Sequence, residues 1–268
     1  MYKRQNLGSV KNVVSYVNIN NDKYGSQVTH AGGIIGSVGN DKTDIEKCMY
    51  YGSIHLNNSS DCIGGVIAYS NGGARVKNCA NLGTVTATQS GAYVGGILGY
   101  LNNTNPTIEN CYNYTKISDN GSGSHCGAII GWARNFNKSN IANNYYNKDT
   151  GNTPFGTDSK LGLSANEKTI SEFKCGEVAF KLNNGVTDGT QVWYQNIDNG
   201  LTPDDYPVFN GGTVYYADFD NTYSNFERTP DEFDKDDDGR FIIKTYSDLV
   251  KLSQVVRTDY KRYGDKNY

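Results

Sequence analysis

One apolar, glycine-containing segment recurs four times in the first half of this 268-residue chain, at intervals of 32, 31 and 32 residues. The copies are His30-Ala31-Gly32-Gly33-Ile34-Ile35-Gly36, Cys62-Ile63-Gly64-Gly65-Val66-Ile67-Ala68, Tyr93-Val94-Gly95-Gly96-Ile97-Leu98-Gly99 and His125-Cys126-Gly127-Ala128-Ile129-Ile130-Gly131. A fixed period of this size marks a stacked array rather than one mixed core. Each copy is followed by a second element: Ile45-Glu46-Lys47-Cys48, Val76-Lys77-Asn78-Cys79, Ile108-Glu109-Asn110-Cys111 and Ile141-Ala142-Asn143-Asn144. An earlier copy of that element, Val10-Lys11-Asn12-Val13, precedes the first glycine pair, as expected of a fragment that begins inside a repeat. The opening Met1-Tyr2-Lys3-Arg4-Gln5 lacks the apolar core of a secretion signal and fits the same expectation.

Between these elements lie short β-prone runs such as Gly83-Thr84-Val85-Thr86-Ala87-Thr88, separated by clusters such as Asn102-Asn103-Thr104-Asn105-Pro106. Short runs bounded by turn formers predict strands, and no sustained helical stripe competes with them. A single repeat cannot bury a face by itself, whereas stacked repeats lay Ile on Ile and Val on Val. The expected fold is all-β: a right-handed parallel β-solenoid of about four to five coils, followed by a small mixed α/β region. The expected boundaries are 1–150 for the solenoid, 151–215 for an array-closing segment with one helix, and 216–268 for an acidic strand-and-helix segment that starts a further module. The paired glycines are expected at a tight bend or a close approach between coils.

The composition narrows the function classes. With 31 Gly, 33 Asn and 21 Tyr but only 20% charged residues, this is a chain of turns and aromatics. No stretch approaches the roughly 18 apolar residues of a membrane span, so membrane insertion is not expected. Residues 1–150 carry 12 Lys/Arg against 8 Asp/Glu and residues 151–268 carry 13 against 20, so neither half has the basic stripe that nucleic acid requires. Cys48, Cys79 and Cys111 share one repeat position and are expected to stack inside as small hydrophobes, a disulfide between adjacent coils being the alternative. Their wide spacing lacks the short intervals of a zinc site, and Cys62, Cys126 and Cys175 complete no ligand cluster.

After residue 150 the glycine register stops. Thr169-Ile170-Ser171-Glu172 has the spacing of a capping box, and Phe173, Val178, Ala179 and Leu182 form an apolar face that ends near Asn183-Asn184-Gly185. This helix is expected to cover the end of the solenoid, where open strand edges need protection. Asp234-Lys235-Asp236-Asp237-Asp238-Gly239 opens like a calcium loop, but its twelfth position is Thr245 rather than Glu. Asp234, Asp236 and Asp238 are therefore candidate ligands for calcium, the one cofactor considered, against a solvated acidic turn before a strand at Phe241-Ile242-Ile243. A second box, Thr245-Tyr246-Ser247-Asp248, predicts a helix through Val256.

The sequence contains no HExxH, no Gly-x-Ser-x-Gly elbow and no phosphate-binding glycine loop. Carboxylates Asp44, Glu46, Asp61 and Glu109 are the remaining route to a glycan-cleaving pair, since spacing across coils is invisible in sequence. A groove lined by Tyr50, Tyr51, Tyr69, Tyr100, Tyr112 and Tyr114 is the better prospect, because amphipathic aromatics bind sugars and proteins, although the same tyrosines could simply stack in coil ladders. Trp193 is expected either to pack or to offer a ligand platform. The candidate ligand-binding residues are thus Tyr69, Tyr100, Tyr112 and Trp193, and no catalytic residue is nominated.

The runs Tyr93-Val94-Gly95-Gly96-Ile97-Leu98-Gly99-Tyr100 and Val76-Lys77-Asn78-Cys79-Ala80-Asn81-Leu82-Gly83 resemble the GLUG repeats of bacterial surface proteins, including non-catalytic regions of immunoglobulin A1 metallopeptidases. The resemblance spans roughly residues 8–147. It departs at Gly127-Ala128, where the second glycine is replaced, and at Asn144, which replaces the recurring Cys. It implies export and display on a bacterial surface; the expected role is a non-enzymatic spacer or adhesive module, a monomer, with a host protein or glycan as its candidate partner. The alternatives are the substrate-recognition region of a surface protease with its catalytic domain elsewhere, and a carbohydrate-active solenoid.

Overall fold

The computed structural model describes residues 8–20, 30–39, 42–57, 61–71, 73–102, 106–120, 125–134, 141–156, 165–197 and 203–219, with 234–238, 240, 242–245, 248–249 and 252. One coil holds five short strands, as in Thr43–Glu46, Met49–Tyr50, Ser53–Leu56, Cys62–Gly64 and Ile67–Ser70. Each strand pairs in parallel with its counterparts in neighbouring coils, which gives five sheets, numbered 1 to 5 in that order. Four coils carry all five strands, and Ile141–Ala142 and Tyr145–Asn147 begin a fifth. This is the parallel β-solenoid that the repeat predicts.

In-register stacking puts like on like. In sheet 1, Val10, Ile45, Val76, Ile108 and Ile141 are successive partners, and Ile45, Val76 and Ile108 are completely buried. Sheet 3 stacks Ile19, Ile54, Val85 and Ile117, and sheet 5 stacks Ile35, Ile67, Leu98 and Ile130. Each such side chain, once buried, contributes about 1.5–3 kcal/mol, so the coils are held mainly by these internal columns.

Sheets 1 and 2 meet at a corner made by one left-handed residue per coil: Asn12 (φ 57°), Lys47 (54°), Asn78 (53°), Asn110 (55°) and Asn143 (54°). Asn tolerates this region better than most residues with a side chain. The following residue turns inward. The buried thiols of Cys48, Cys79 and Cys111 donate to the carbonyl oxygens of Glu46 (3.3 Å), Lys77 (3.2 Å) and Glu109 (3.2 Å). In the fifth coil Asn144 takes the place of the thiol: its Oδ1 accepts from the Cys111 amide at 3.0 Å and its Nδ2 donates to the Ile108 carbonyl at 2.8 Å. All six cysteines are free, and burial raises the pKa of Cys79 well above the ordinary thiol value.

The glycine pairs lie at the bend between sheets 4 and 5. They have negative φ, so what they supply is space. A Cβ on Gly95 would stand 2.0 Å from the Leu98 carbonyl oxygen, and one on Gly96 would stand 2.1 Å from that of Ala128 in the next coil. Ala128 has no further copy stacked on it. There the extended segment 153–156 closes the stack, with the amides of Ala128 and Ile129 donating to Thr153 and Pro154 and Ile130 bridging Phe155.

Sheet 2 is closed by Asn166–Lys168, paired with Tyr145–Asn147. The capping box at Thr169 is present, with Thr169 and Glu172 satisfying each other's backbone amides. The single expected helix is two short ones, α1 (Ile170–Lys174) and α2 (Glu177–Leu182), broken at Gly176, whose φ is +89°. Their expected place is also corrected. Phe173, Val178, Ala179, Leu182 and Trp193 pack along the flank, on the outward column Met49, Ala80, Tyr112 and Tyr145 of sheet 2. An apolar column that faces outward must be covered along its length, and a helix seated on the end could not reach it. The Asn183 side chain pins this segment: Oδ1 accepts from the amides of Val192 and Trp193, and Nδ2 donates to the Trp193 carbonyl at 2.7 Å.

Candidate functional site

The carboxylates on the outer face of sheet 1 are engaged by basic side chains. On the outer face of sheet 1, Arg75 Nη2 donates to Asp44 Oδ2 at 2.8 Å, Lys11 Nζ to Glu46 Oε2 at 2.8 Å, and Lys77 lies 2.7 Å from Glu109 Oε2. Each of these three acids thus faces a cation from an adjacent coil. Asp61 is buried at 1% exposure beside Cys62, where burial, and secondarily the Asp61 charge, push the thiol up to about 12.

The acidic loop satisfies itself with protein groups. Asp236 Oδ1 accepts from the amides of Asp238 and Arg240, Arg240 Nη2 donates to Asp238 Oδ2 at 2.6 Å, and Lys244 Nζ donates to Asp234 Oδ2 at 2.5 Å. No group of three His, Cys, Asp or Glu side chains is placed to hold a metal among the described residues. The carboxylates of Asp234, Asp236 and Asp238 are thus engaged by amides and basic side chains of the same segment. The second capping box is formed by Thr245 and Asp248, while Phe241 and the residues after 252 lie outside the described residues. Ile242 and Ile243 are not in a strand.

The tyrosines divide among three places instead of lining one groove: Tyr50 is buried inside the solenoid, Tyr51, Tyr112 and Tyr114 lie at the flank, and Tyr69 and Tyr100 lie on sheet 5. Tyr112 and Trp193 are completely buried beneath the flank, with rings 5.2 Å apart at 64°, and Tyr112 Oη donates to the Pro207 carbonyl at 2.5 Å. As placed, neither reaches a ligand; they weld the flank to the solenoid. Tyr69 and Tyr100 are half-exposed neighbours in sheet 5 and belong to a larger aromatic stripe.

The stripe follows from the period. The third residue of each full sheet 5 strand forms one column, Ser37, Tyr69, Tyr100 and Trp132. The residue two before each glycine pair forms a second column beside it in sheet 4, His30, Cys62, Tyr93 and His125. Tyr69 stacks on Tyr100 at 5.4 Å and 17°, and Tyr100 on Trp132 at 5.0 Å and 5°. Across the columns His30 stacks on Tyr69 at 4.6 Å and 14°, and Tyr93 meets Tyr100 at 4.7 Å and His125 at 4.6 Å. All six rings are half-buried. Tyr100 thus has a stacked ring on each face, whereas Tyr93 meets its neighbours at a tilt.

Polar groups line one side. Tyr69 and Tyr100 donate to the Oδ1 atoms of Asn71 (3.3 Å) and Asn102 (3.2 Å), and Asn102 Nδ2 donates to Asn71 Oδ1 at 2.8 Å. The exposed Arg134 stands at the next position of that column. Burial raises the Tyr100 pKa, Tyr93 adding to the rise and Arg134 opposing it, and burial lowers that of His30. Sequence reasoning nominated Tyr69 and Tyr100 but missed Trp132, although Ile130-Gly131-Trp132 repeats the register of Leu98-Gly99-Tyr100.

Comparison of the chain with protein-family models, curated proteins and solved structures finds no match to any of them. No helix among the described residues is long and apolar enough to cross a membrane.

Proposed function

We propose that this chain is a non-enzymatic module of the GLUG-repeat kind in a larger secreted or cell-surface protein, a spacer whose aromatic stripe recognises a protein partner. The observation that carries this reading is the stacking of Tyr69, Tyr100 and Trp132 at 5–17°, which spends ring faces on one another. A sugar platform needs an open ring face, whereas Tyr, Trp and Arg at a partly desolvated surface are the residue types that dominate protein interfaces. The ion-paired acids on sheet 1 lend support to a binding role over glycan cleavage.

The test is capture of ligands from matched protein and glycan arrays by the full chain. Tyr100→Ala should weaken the protein interaction at least about tenfold, Tyr100→Phe, which keeps the stack, by a few fold, and Lys148→Ala, in the exposed turn after the fifth coil, not at all. Binding confined to glycans, or protein binding indifferent to Tyr100, overturns the reading.

A further inference from the structure

The two ends of the coil stack are unlike. The far end is covered at sheet 2 by Asn166–Lys168 and at the bend between sheets 4 and 5 by the segment 153–156. At the near end Gly8–Lys11, Val14–Ser15, Ile19–Asn20, His30–Gly32 and Ile35–Val38 are the edge strands of all five sheets. A strand in a parallel ladder directs alternate backbone groups to its two sides, so these five edges repeat the hydrogen-bonding pattern of every interior coil junction. Their inward side chains have the same incompleteness. Val10, Ile19 and Ile35 are half-buried, whereas their stacked partners Ile45, Ile54 and Ile67 are 0–1% exposed.

Two outer columns continue the pattern. Tyr16, 69% exposed, has one ring face on Tyr51 at 5.2 Å and 15°, which leaves its other face toward the near end. The outer column of sheet 1 runs Lys11, Glu46, Lys77, Glu109, alternating in sign, with Lys11–Glu46 and Lys77–Glu109 in contact at 2.8 and 2.7 Å. The next rung beyond Lys11 calls for a carboxylate.

We propose that this near face docks the last coil of an adjoining β-solenoid module, in parallel register and with an acidic residue against Lys11. A lone extended peptide would satisfy one of the five edges. A second copy of this chain, joined near end to near end by a two-fold axis, would run antiparallel, and the described strand residues of the first coil contain no carboxylate to face Lys11. The inference rests on coil geometry and is independent of what the aromatic stripe binds.

The test places a surrogate coil on the face. A copy of residues 43–73 is inserted between residues 7 and 8 of the full chain, so that its glutamate meets Lys11 as Glu46 meets Lys77. Hydrogen exchange should show the amides of the original first coil at least about tenfold more protected, the inserted coil itself protected, and α1 and α2 unchanged as a control for folding. Glu46→Lys within the inserted copy should cut the gain about threefold. An inserted coil that exchanges like unfolded chain, with the first-coil amides as in the parent, overturns docking. Equal protection with the lysine variant overturns the charge rule. A concentration-dependent dimer of the unmodified chain, with first-coil amides protected only in that dimer, assigns the face to a second copy and overturns the proposal.

Discussion

A corner that needs one left-handed residue per coil makes the side chain at that position a local determinant of stability. Asn78, with φ 53° and 9% exposure, is placed to show it. Asn78→Ala should cost about 1–2 kcal/mol, the penalty of a Cβ without a compensating polar group in the left-handed region, whereas Asn78→Gly should cost much less. Urea unfolding followed by tryptophan fluorescence measures both, and equal losses would mean that the amide, not φ, governs the corner. This determinant was legible, since Asn12, Asn78, Asn110 and Asn143 recur just before the inward Cys or its substitute. The glycine pairs, expected at a tight bend or a close approach, lie at a bend with negative φ and serve close approach there, which leaves the left-handed corner to asparagine. The change from Cys to Asn144 reads in sequence only as a departure from the repeat in its last copy. Its meaning lies in two hydrogen bonds, to the Cys111 amide and the Ile108 carbonyl, that no one-dimensional pattern displays.

Among the elements, α1 depends on a charge. Burial works against ionised Glu172, but hydrogen bonds from Lys168 and Thr169 outweigh it and bring its pKa down to about 2. A folded-state value below the ordinary one of 4.5 means that ionised Glu172 stabilises the fold above about pH 4.5 and that this contribution is lost as pH falls from there toward 2. Exchange protection of α1 should fall across that window in the parent and show a weaker pH dependence in Glu172→Gln; identical pH profiles would remove Glu172 from the account. The capping box was readable because it is local, four residues bonding to one another. The docking site of the helices was not, because it depends on Met49, Ala80, Tyr112 and Tyr145 sharing one outward column, which emerges only when the repeats are laid in register. The same register assigns Tyr112 to that flank and Tyr69 and Tyr100 to the stripe, where sequence reasoning had put all three in one groove.

For the whole molecule the period carried most of the information: coil number, parallel pairing and internal columns all follow from it. What it left open was which outward columns are covered, and by what, since cover comes from residues 165–219, beyond the repeat. A final consequence comes from the parallel ladders themselves. Their hydrogen bonds run between coils, along the stack, so a pull on the two ends of the chain loads them one junction at a time instead of shearing a whole sheet. Single-molecule stretching should give a regular sawtooth of roughly 100 Å steps, one coil of 31–32 residues drawn out at about 3.4 Å per residue less the coil's own thickness of about 5 Å. One undivided jump would show that the coils fail together. A tether of this design gives way by instalments, so that under traction it lengthens and keeps its grip where a compact domain would let go at once.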